Sequence, residues 1–314
     1  MRAIPFVLLL GSWLVTPAHA ADAQDWLLRM SEAERTQSFH GSFIYQRSGS
    51  FSTHSIWHRV DGDQVRERLL QLDGPLQEVV RVNGRTECVN GALADQVAAD
   101  QAWPAREFDP KQLQDWYELR LMGESRVAGR PAVILAVLPR DQHRYGFELH
   151  LDRETGLLLK SLLLNEKGQL LERFQFSTFE PGVPVDGELK AGAACKPVQV
   201  VDAGKDQSDS WRSEWLPPGF SLNNVLERKS PVSKEPVACL MYGDGLARFS
   251  VFLEPLRGAA VEDARSQLGP TVAVSKRMST EDGDVMVTVV GEIPLGTAER
   301  VALSMRSGTI PVTP

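Results

Sequence analysis

The sequence predicts a mainly β, α+β protein: one large, curved antiparallel sheet followed by a smaller α+β domain. Three observations predict it. Turn-forming pairs recur about every ten residues between Gly41 and Gly91, with β-rich runs between them. Tyr145, Phe147, Leu149 and Leu151 alternate with Glu148, His150 and Asp152, which is the period of a half-buried strand. A stretch rich in Pro, Gly and Asp, from Glu180 to Ser210, then breaks the pattern before a second group of hairpins.

The first twenty residues stand apart from the fold. Arg2, an apolar run from Ile4 to Val15, and Ala18-His19-Ala20 read as a secretory signal, with cleavage expected before Ala21. No lipobox cysteine lies near that site, and no later segment holds eighteen consecutive apolar residues. The mature chain of 314 − 20 = 294 residues is therefore expected to be soluble outside the cytoplasm, with room for two domains. Without Arg2 it carries 33 basic and 41 acidic residues, a net of −8. That balance argues against nucleic acid and offers no attraction to anionic lipid. Cys88, Cys195 and Cys239 are spaced by 107 and 44 residues, which fits no zinc or redox motif. A Cys195–Cys239 bridge and a set of two or three buried thiols both stay open.

A short helix comes first, with Asp22 or Asp25 as cap and Trp26, Met30 and Ala33 on one side. A meander follows, its turns at Ser48-Gly49, Asp61-Gly62, Asp73-Gly74, Asn83-Gly84 and Asn90-Gly91. Ala92 to Trp116 is less regular. Strands resume over Tyr117–Gly123, Val127–Leu138 and Tyr145–Phe176. A sheet of about nine or ten strands tends to curl towards a barrel. The domains are thus expected at residues 21–180 and 211–314, joined by a linker at 181–210. In the second domain, Val237–Glu254 forms a hairpin around Gly243-Asp244-Gly245, and a helix is expected near Ala259–Leu268. A second hairpin turns at Glu281-Asp282-Gly283. A last helix, with Thr297 as N-cap, carries the stripe Ala298, Val301, Ala302 and Met305.

The strand after Gly156 does not alternate. Leu157, Leu159 and Leu163 lie on one face and Leu158, Leu162 and Leu164 on the other, so both faces ask for cover. Either they pack under the helix or the 92–116 segment, or the curved sheet encloses a cavity for an acyl chain or hydrophobic peptide. Phe43, Tyr45, Phe147, Leu149, Leu159 and Leu162 are the candidate lining of such a cavity.

Catalytic signatures are missing: no GxSxG elbow, phosphate loop, GxGxxG, HExxH or CxxC occurs. His54 and His58 share a strand face about 13 Å apart, too far to ligate one metal, and read as hydrogen-bonded surface histidines. Glu67 and Glu78 lie near Arg66, Arg68 and Arg81 and read as cross-strand ion pairs. No enzyme, metal or cofactor is expected.

Several blocks carry a family resemblance: GSFIYQRSGSFSTHSIWHR (41–59), ERLLQLDGPLQEVVR (67–81), RVAGRPAVILAVLPRDQHRYGFELHLDRETGLLLKS (126–161), WLPPGF (215–220), YGDGLARFSVF (242–252) and VTVVGEIPLGTAERVALSM (287–305). In this order the chain resembles the RseB/MucB family of periplasmic regulators of envelope-stress sigma factors, in particular its alginate-system branch. The resemblance implies an unclosed β-barrel similar to LolA and LolB, with helices across its mouth, and a smaller α+β domain. It implies a periplasmic negative regulator with no catalytic residues. Its partner would be the periplasmic part of a MucA/RseA-like inner-membrane anti-sigma factor, which it shields from regulated proteolysis. It also implies release by lipid or lipopolysaccharide, and self-association. Trp215, Phe220, Tyr242 and Phe249 of the second domain are the candidate partner contacts, with strand edges offering main-chain hydrogen bonds. A periplasmic carrier of lipid or lipoprotein is the alternative.

Overall fold

A computed structural model describes residues 18–90, 110–197, 211–257, 261–281 and 283–307. Alternation and turn chemistry act first on the meander. β1 (Phe39–Arg47), β2 (Ser50–Asp61), β3 (Gln64–Gln71), β4 (Glu78–Val82) and β5 (Arg85–Asn90) pair in sequence, through two-residue turns except for the longer connection 72–77 between β3 and β4. Asn83 and Gly84 sit at φ of 49° and 74°, the paired left-handed geometry that matches strand twist in a two-residue hairpin. After helix α2 (Pro110–Trp116) come β6 (Tyr117–Val127), β7 (Arg130–Pro139), β8 (Gly146–Asp152), β9 (Leu158–Leu164) and β10 (Leu170–Pro181). β10 pairs with β1, and a short β11 (Lys196–Pro197) pairs with β5. The result is one antiparallel sheet of eleven strands, ordered β11-β5-β4-β3-β2-β1-β10-β9-β8-β7-β6. It curls until β6 touches β10, yet among the described residues β6 and β11 are the sheet's two edges and do not pair with each other, so the barrel is unclosed. Helix α1 (Ala18–Thr36) lies on its inner side, burying Ala23, Leu27 and Ala33.

Several expectations need correction. Helix α1 starts before Asp22 and Asp25, so neither is its cap. Residues 123–127 do not end a strand: β6 absorbs a bulge between Leu121 and Gly123 and continues to Val127, because pairing with β7 resumes beyond it. Cys88 bonds to Cys195 rather than Cys195 to Cys239, and Cys239 is a buried free thiol. The partners are set by β5–β11 pairing, which sequence spacing could not reveal. Of the expected linker, residues 182–197 form a strap on the sheet. The buried Glu78 carboxylate accepts the Gly192 amide at 3.0 Å and pairs with Arg68 at 2.7 Å. Arg68 also donates to the Glu188 carbonyl at 2.9 Å. Residues 198–210 lie outside the described residues, as do 91–109 of the irregular segment.

The second unit is a six-stranded antiparallel sheet. Its strands are β13 (Ser221–Lys229), β14 (Pro236–Gly243), β15 (Arg248–Pro255), β16 (Ala264–Leu268), β17 (Thr271–Thr280) and β18 (Gly283–Gly291). Helix α3 (Leu295–Ser304) packs on one face, and β12 (Trp211–Ser213) pairs with β19 (Met305–Ser307) beside it. The first hairpin turns at Gly243-Asp244-Gly245 as expected, and β17 and β18 pair up to Thr280 and Gly283, with Asp282 of the second expected turn lying outside the described residues. Ala264–Leu268, however, is an exposed edge strand rather than a helix, because it pairs with β17. Thr297 is not the cap of α3. Pro294 takes that position and Thr297 lies inside the first turn, donating its amide to the Pro294 carbonyl at 2.9 Å. Ala298, Val301, Ala302 and Met305 are all buried, as their helical spacing requires.

Candidate functional site

Strand register decides which leucine face turns inward. Leu149 pairs with Ser161, Ser161 with Phe174, and Phe174 with Tyr45. Phe147 pairs with Leu163, and Phe43 with Phe176. Side chains alternate along each strand, so Phe43, Tyr45, Phe147, Leu149 and Leu159 share the helix-covered face. Leu162 pairs with Glu148 and Arg173 and stands on the other face, half-buried. Its place among the lining candidates is a correction, as is the expectation that both faces of the strand are fully covered.

The covered face is filled by the protein's own side chains. Leu27 of α1 and Leu113 of α2 close over Tyr117, Leu135, Leu149 and Leu151. Ala33 joins Phe39, Phe43, Leu157, Leu159, Phe176 and Phe179. The aromatic rings interlock: Phe43 to Phe174 at 4.7 Å, Phe174 to Phe176 at 5.2 Å and Phe176 to Phe179 at 5.1 Å between centroids. His58 is a buried group rather than a surface one, whereas His54 is half-buried and hydrogen-bonds Ser52 at 2.8 Å. His58 stacks on Phe39 at 4.7 Å and bonds Glu67 and the Glu34 carbonyl, each at 2.9 Å. His54 stacks on Phe43 at 5.1 Å, and burial lowers its pKa. Glu78 does pair with Arg68, as expected of cross-strand charges. A charged cleft of about 290 Å³ lies elsewhere, between Arg59 and Arg66 of the β2–β3 hairpin and Asp186 and Lys190 of the strap. No cluster among the described residues could hold a metal ion.

At the rim the two units meet. Arg47 reaches Glu172 at 3.3 Å and, across the junction, Glu292 at 3.0 Å and the Thr271 hydroxyl. Burial and the Glu292 charge raise the Glu172 pKa, against the pull of Tyr45 and Arg47. Deeper in, Arg144 is fully buried. It donates to Asp141 at 2.9 and 3.1 Å, to Asp244 at 2.5 Å and to the Pro218 carbonyl. The rings of Trp116, Tyr117 and Phe220 surround it. Tyr117 donates to Asp244 at 3.1 Å; burial and that carboxylate push its pKa well above the ordinary phenol value. Tyr145 donates to the Ile293 carbonyl at 3.2 Å, and His143 meets the Thr297 hydroxyl at 3.1 Å.

This junction reassigns WLPPGF and YGDG. Gly219 takes φ of +81° and lies so close to Trp116 that a Cβ would come within 2.4 Å of the indole. Phe220, Tyr242 and Phe249 are buried in the core of the small unit, with Tyr242 and Phe249 stacked at 5.1 Å. They hold the fold and are not free to touch a partner, which corrects their candidacy. Trp215 is half-buried between Arg300, 3.8 Å from its ring centre, and His143. Sequence reasoning missed Arg144 and Asp244. The one signal was an acid between glycines in a hairpin turn, Gly243-Asp244-Gly245.

Comparison with known proteins follows the same two units. Residues 22–193 match the MucB/RseB N-terminal domain family, and residues 205–306 match the MucB/RseB C-terminal domain family. The chain is 68% identical to the sigma factor AlgU regulatory protein MucB of Pseudomonas aeruginosa, over 98% of each chain. It is 29% identical to the sigma-E factor regulatory protein RseB of Escherichia coli K12, over 96% of each. Among solved structures, the P. aeruginosa MucA/MucB complex matches with a TM-score of 0.83 at 69% identity, covering 92% of this chain and 100% of that one. A crystal structure of MucB matches with a TM-score of 0.69 at 66% identity, covering 92% and 98%. With both domain families matched in order and a relative this similar along its length, the chain belongs to the MucB/RseB family.

Proposed function

We propose that this chain is a periplasmic negative regulator of an extracytoplasmic-function sigma factor. It binds the periplasmic part of a MucA/RseA-like membrane anti-sigma factor, protects it from regulated proteolysis and so keeps the sigma factor sequestered. A lipid or lipopolysaccharide stress signal releases it. The observation that carries the reading is the match, across both units at once, to the MucA/MucB complex. In this reading binding, rather than catalysis, is the activity, and self-association accompanies it.

The carrier alternative uses the same sheet. The packing favours regulation: Leu27, Leu113 and Ala33 already occupy the inner face, so an acyl chain must displace α1 to enter. The second unit, docked through Arg144, also has no place in a simple carrier. The test is reconstitution with the purified periplasmic fragment of P. aeruginosa MucA. The chain from Ala21 should bind the fragment and slow its cleavage by a site-1 protease, and an acylated ligand should reverse both effects. Binding without any protection rejects the regulator reading. Capture of many lipoproteins in its place supports the carrier.

A further inference from the structure

We infer that Arg144 is a positioning residue for partner binding: it holds the two units in one relative orientation, and that orientation is what the anti-sigma segment reads. The inference rests on the proposed function for its partner but on the geometry for its latch. Arg144 and Asp244 have wholly buried side chains, 2.5 Å apart. The groups around the guanidinium divide between the units. Asp141, Trp116 and Tyr117 come from the large one; Asp244, Pro218 and Phe220 come from the small one. Asp244 is placed by its own hairpin, since its other oxygen accepts the amides of Leu246 at 2.9 Å and Ala247 at 2.7 Å. The small unit therefore presents a fixed carboxylate, and the large unit presents a guanidinium oriented by Asp141.

Contacts between domains of one chain ordinarily allow sliding. A buried ion pair resists it, because an orientation that parts Arg144 from Asp244 while the junction stays dry leaves the Asp244 carboxylate buried without its cation, Asp141 alone keeping Arg144. Trp116 against Gly219 excludes a second set of orientations by shape, since the ring touches backbone where any other residue would place a Cβ. Arg47–Glu292 and Tyr145–Ile293 add further contacts between the units. The chain as a whole matches two structures containing MucA with TM-scores of 0.83 and 0.81, and one of MucB alone with 0.69.

The test compares Arg144→Gln, Arg144→Lys and Gly219→Ala in the full mature chain. The first removes the charge. The second keeps the charge without the two-pronged fork. The third displaces Trp116 and the Pro218–Gly219 backbone while keeping both charged side chains, so the latch can be judged even where the first variant misfolds. Small-angle X-ray scattering reads the orientation, calorimetry reads affinity for the purified MucA periplasmic fragment, and far-ultraviolet circular dichroism reads folding. Arg144→Gln and Gly219→Ala should both broaden the distance distribution and weaken binding at least tenfold with unchanged dichroism. Arg144→Lys should fall between them and the parent. Unchanged scattering in both overturns the latch, whatever happens to affinity. Altered scattering with parental affinity overturns the positioning role. A parent that does not bind the fragment defeats the functional reading instead, while the scattering comparison still decides the latch.

Discussion

Leu159 and Leu162 are three residues apart on one strand, and the structure assigns them opposite fates on conversion to aspartate. Leu159 is 0% exposed, clustered with Phe43, Phe176 and Phe179 beneath α1. Truncating such a leucine to alanine alone costs about 2–5 kcal/mol, and an unpaired buried charge adds several more, roughly, or else takes up a proton. That total rivals the roughly 5–15 kcal/mol that holds a domain folded. Leu162 sits on the opposite face, directly across from Arg173, whose buried Nε has no hydrogen-bond partner. A carboxylate at that position gains up to about 1 kcal/mol from Arg173, loses a similar amount to Glu148 on its other side and loses about 1 kcal/mol of half-buried apolar contact, a net cost of about 1 kcal/mol. Urea unfolding followed by tryptophan fluorescence should show Leu162→Asp near the parent and Leu159→Asp with a collapsed or absent transition for the large unit. Equal shifts, or a larger one at Leu162, would refute the face assignment and the covered inner surface with it.

Four further outcomes are expected. The Cys88–Cys195 bond spans 107 residues, and loop-closure entropy for that length is worth about 5 kcal/mol, so Cys88→Ser with Cys195→Ser should lower the urea midpoint strongly. Thiol titration should find one group in the denatured chain and none in the native chain at pH 8, because burial pushes the Cys239 thiol up to about 11; three thiols on denaturation would contradict the bond. Burial alone would raise the Asp152 pKa, but Arg130 at 2.6 Å and the Thr155 amide and hydroxyl outweigh it and hold it below the ordinary value. The stability it contributes is therefore present above about pH 4 and lost as pH falls through the depressed value, and Asp152→Asn should cost about 3 kcal/mol at pH 7 and flatten that acid limb. An acid limb unchanged by the substitution would count against it. Limited proteolysis should cut within 198–210 before 182–197, since the strap is tied down by its disulfide, Glu78 and Arg68. First cuts inside the strap would contradict this.

Much of the architecture was legible because it rests on local chemistry. Asn83-Gly84 and Asp61-Gly62 announce their hairpins, since few residues take the left-handed backbone a tight turn needs. The period-two run from Tyr145 to Asp152 marks a strand, although His150 and Asp152 on its polar face prove buried as well, through Ser125 and Arg130; the stripe from Ala298 to Met305 marks a helix with one buried face, and the family blocks identify both units. What stayed hidden depends on which strand lies beside which. The inward face of Leu157–Leu164 turns on a one-residue register choice, decided by pairing with β8 and β10. Cys88 finds Cys195 because β11 returns to β5, and Ala264–Leu268 becomes a strand only through β17. Phe220, Tyr242 and Phe249 are aromatic residues of the kind a partner could grip, and only tertiary burial shows that they belong to the core. Arg144 is one arginine among many in the sequence. It becomes the centre of the junction because folding brings Asp141, Asp244 and three aromatic rings around it and excludes the water that would otherwise screen its charge.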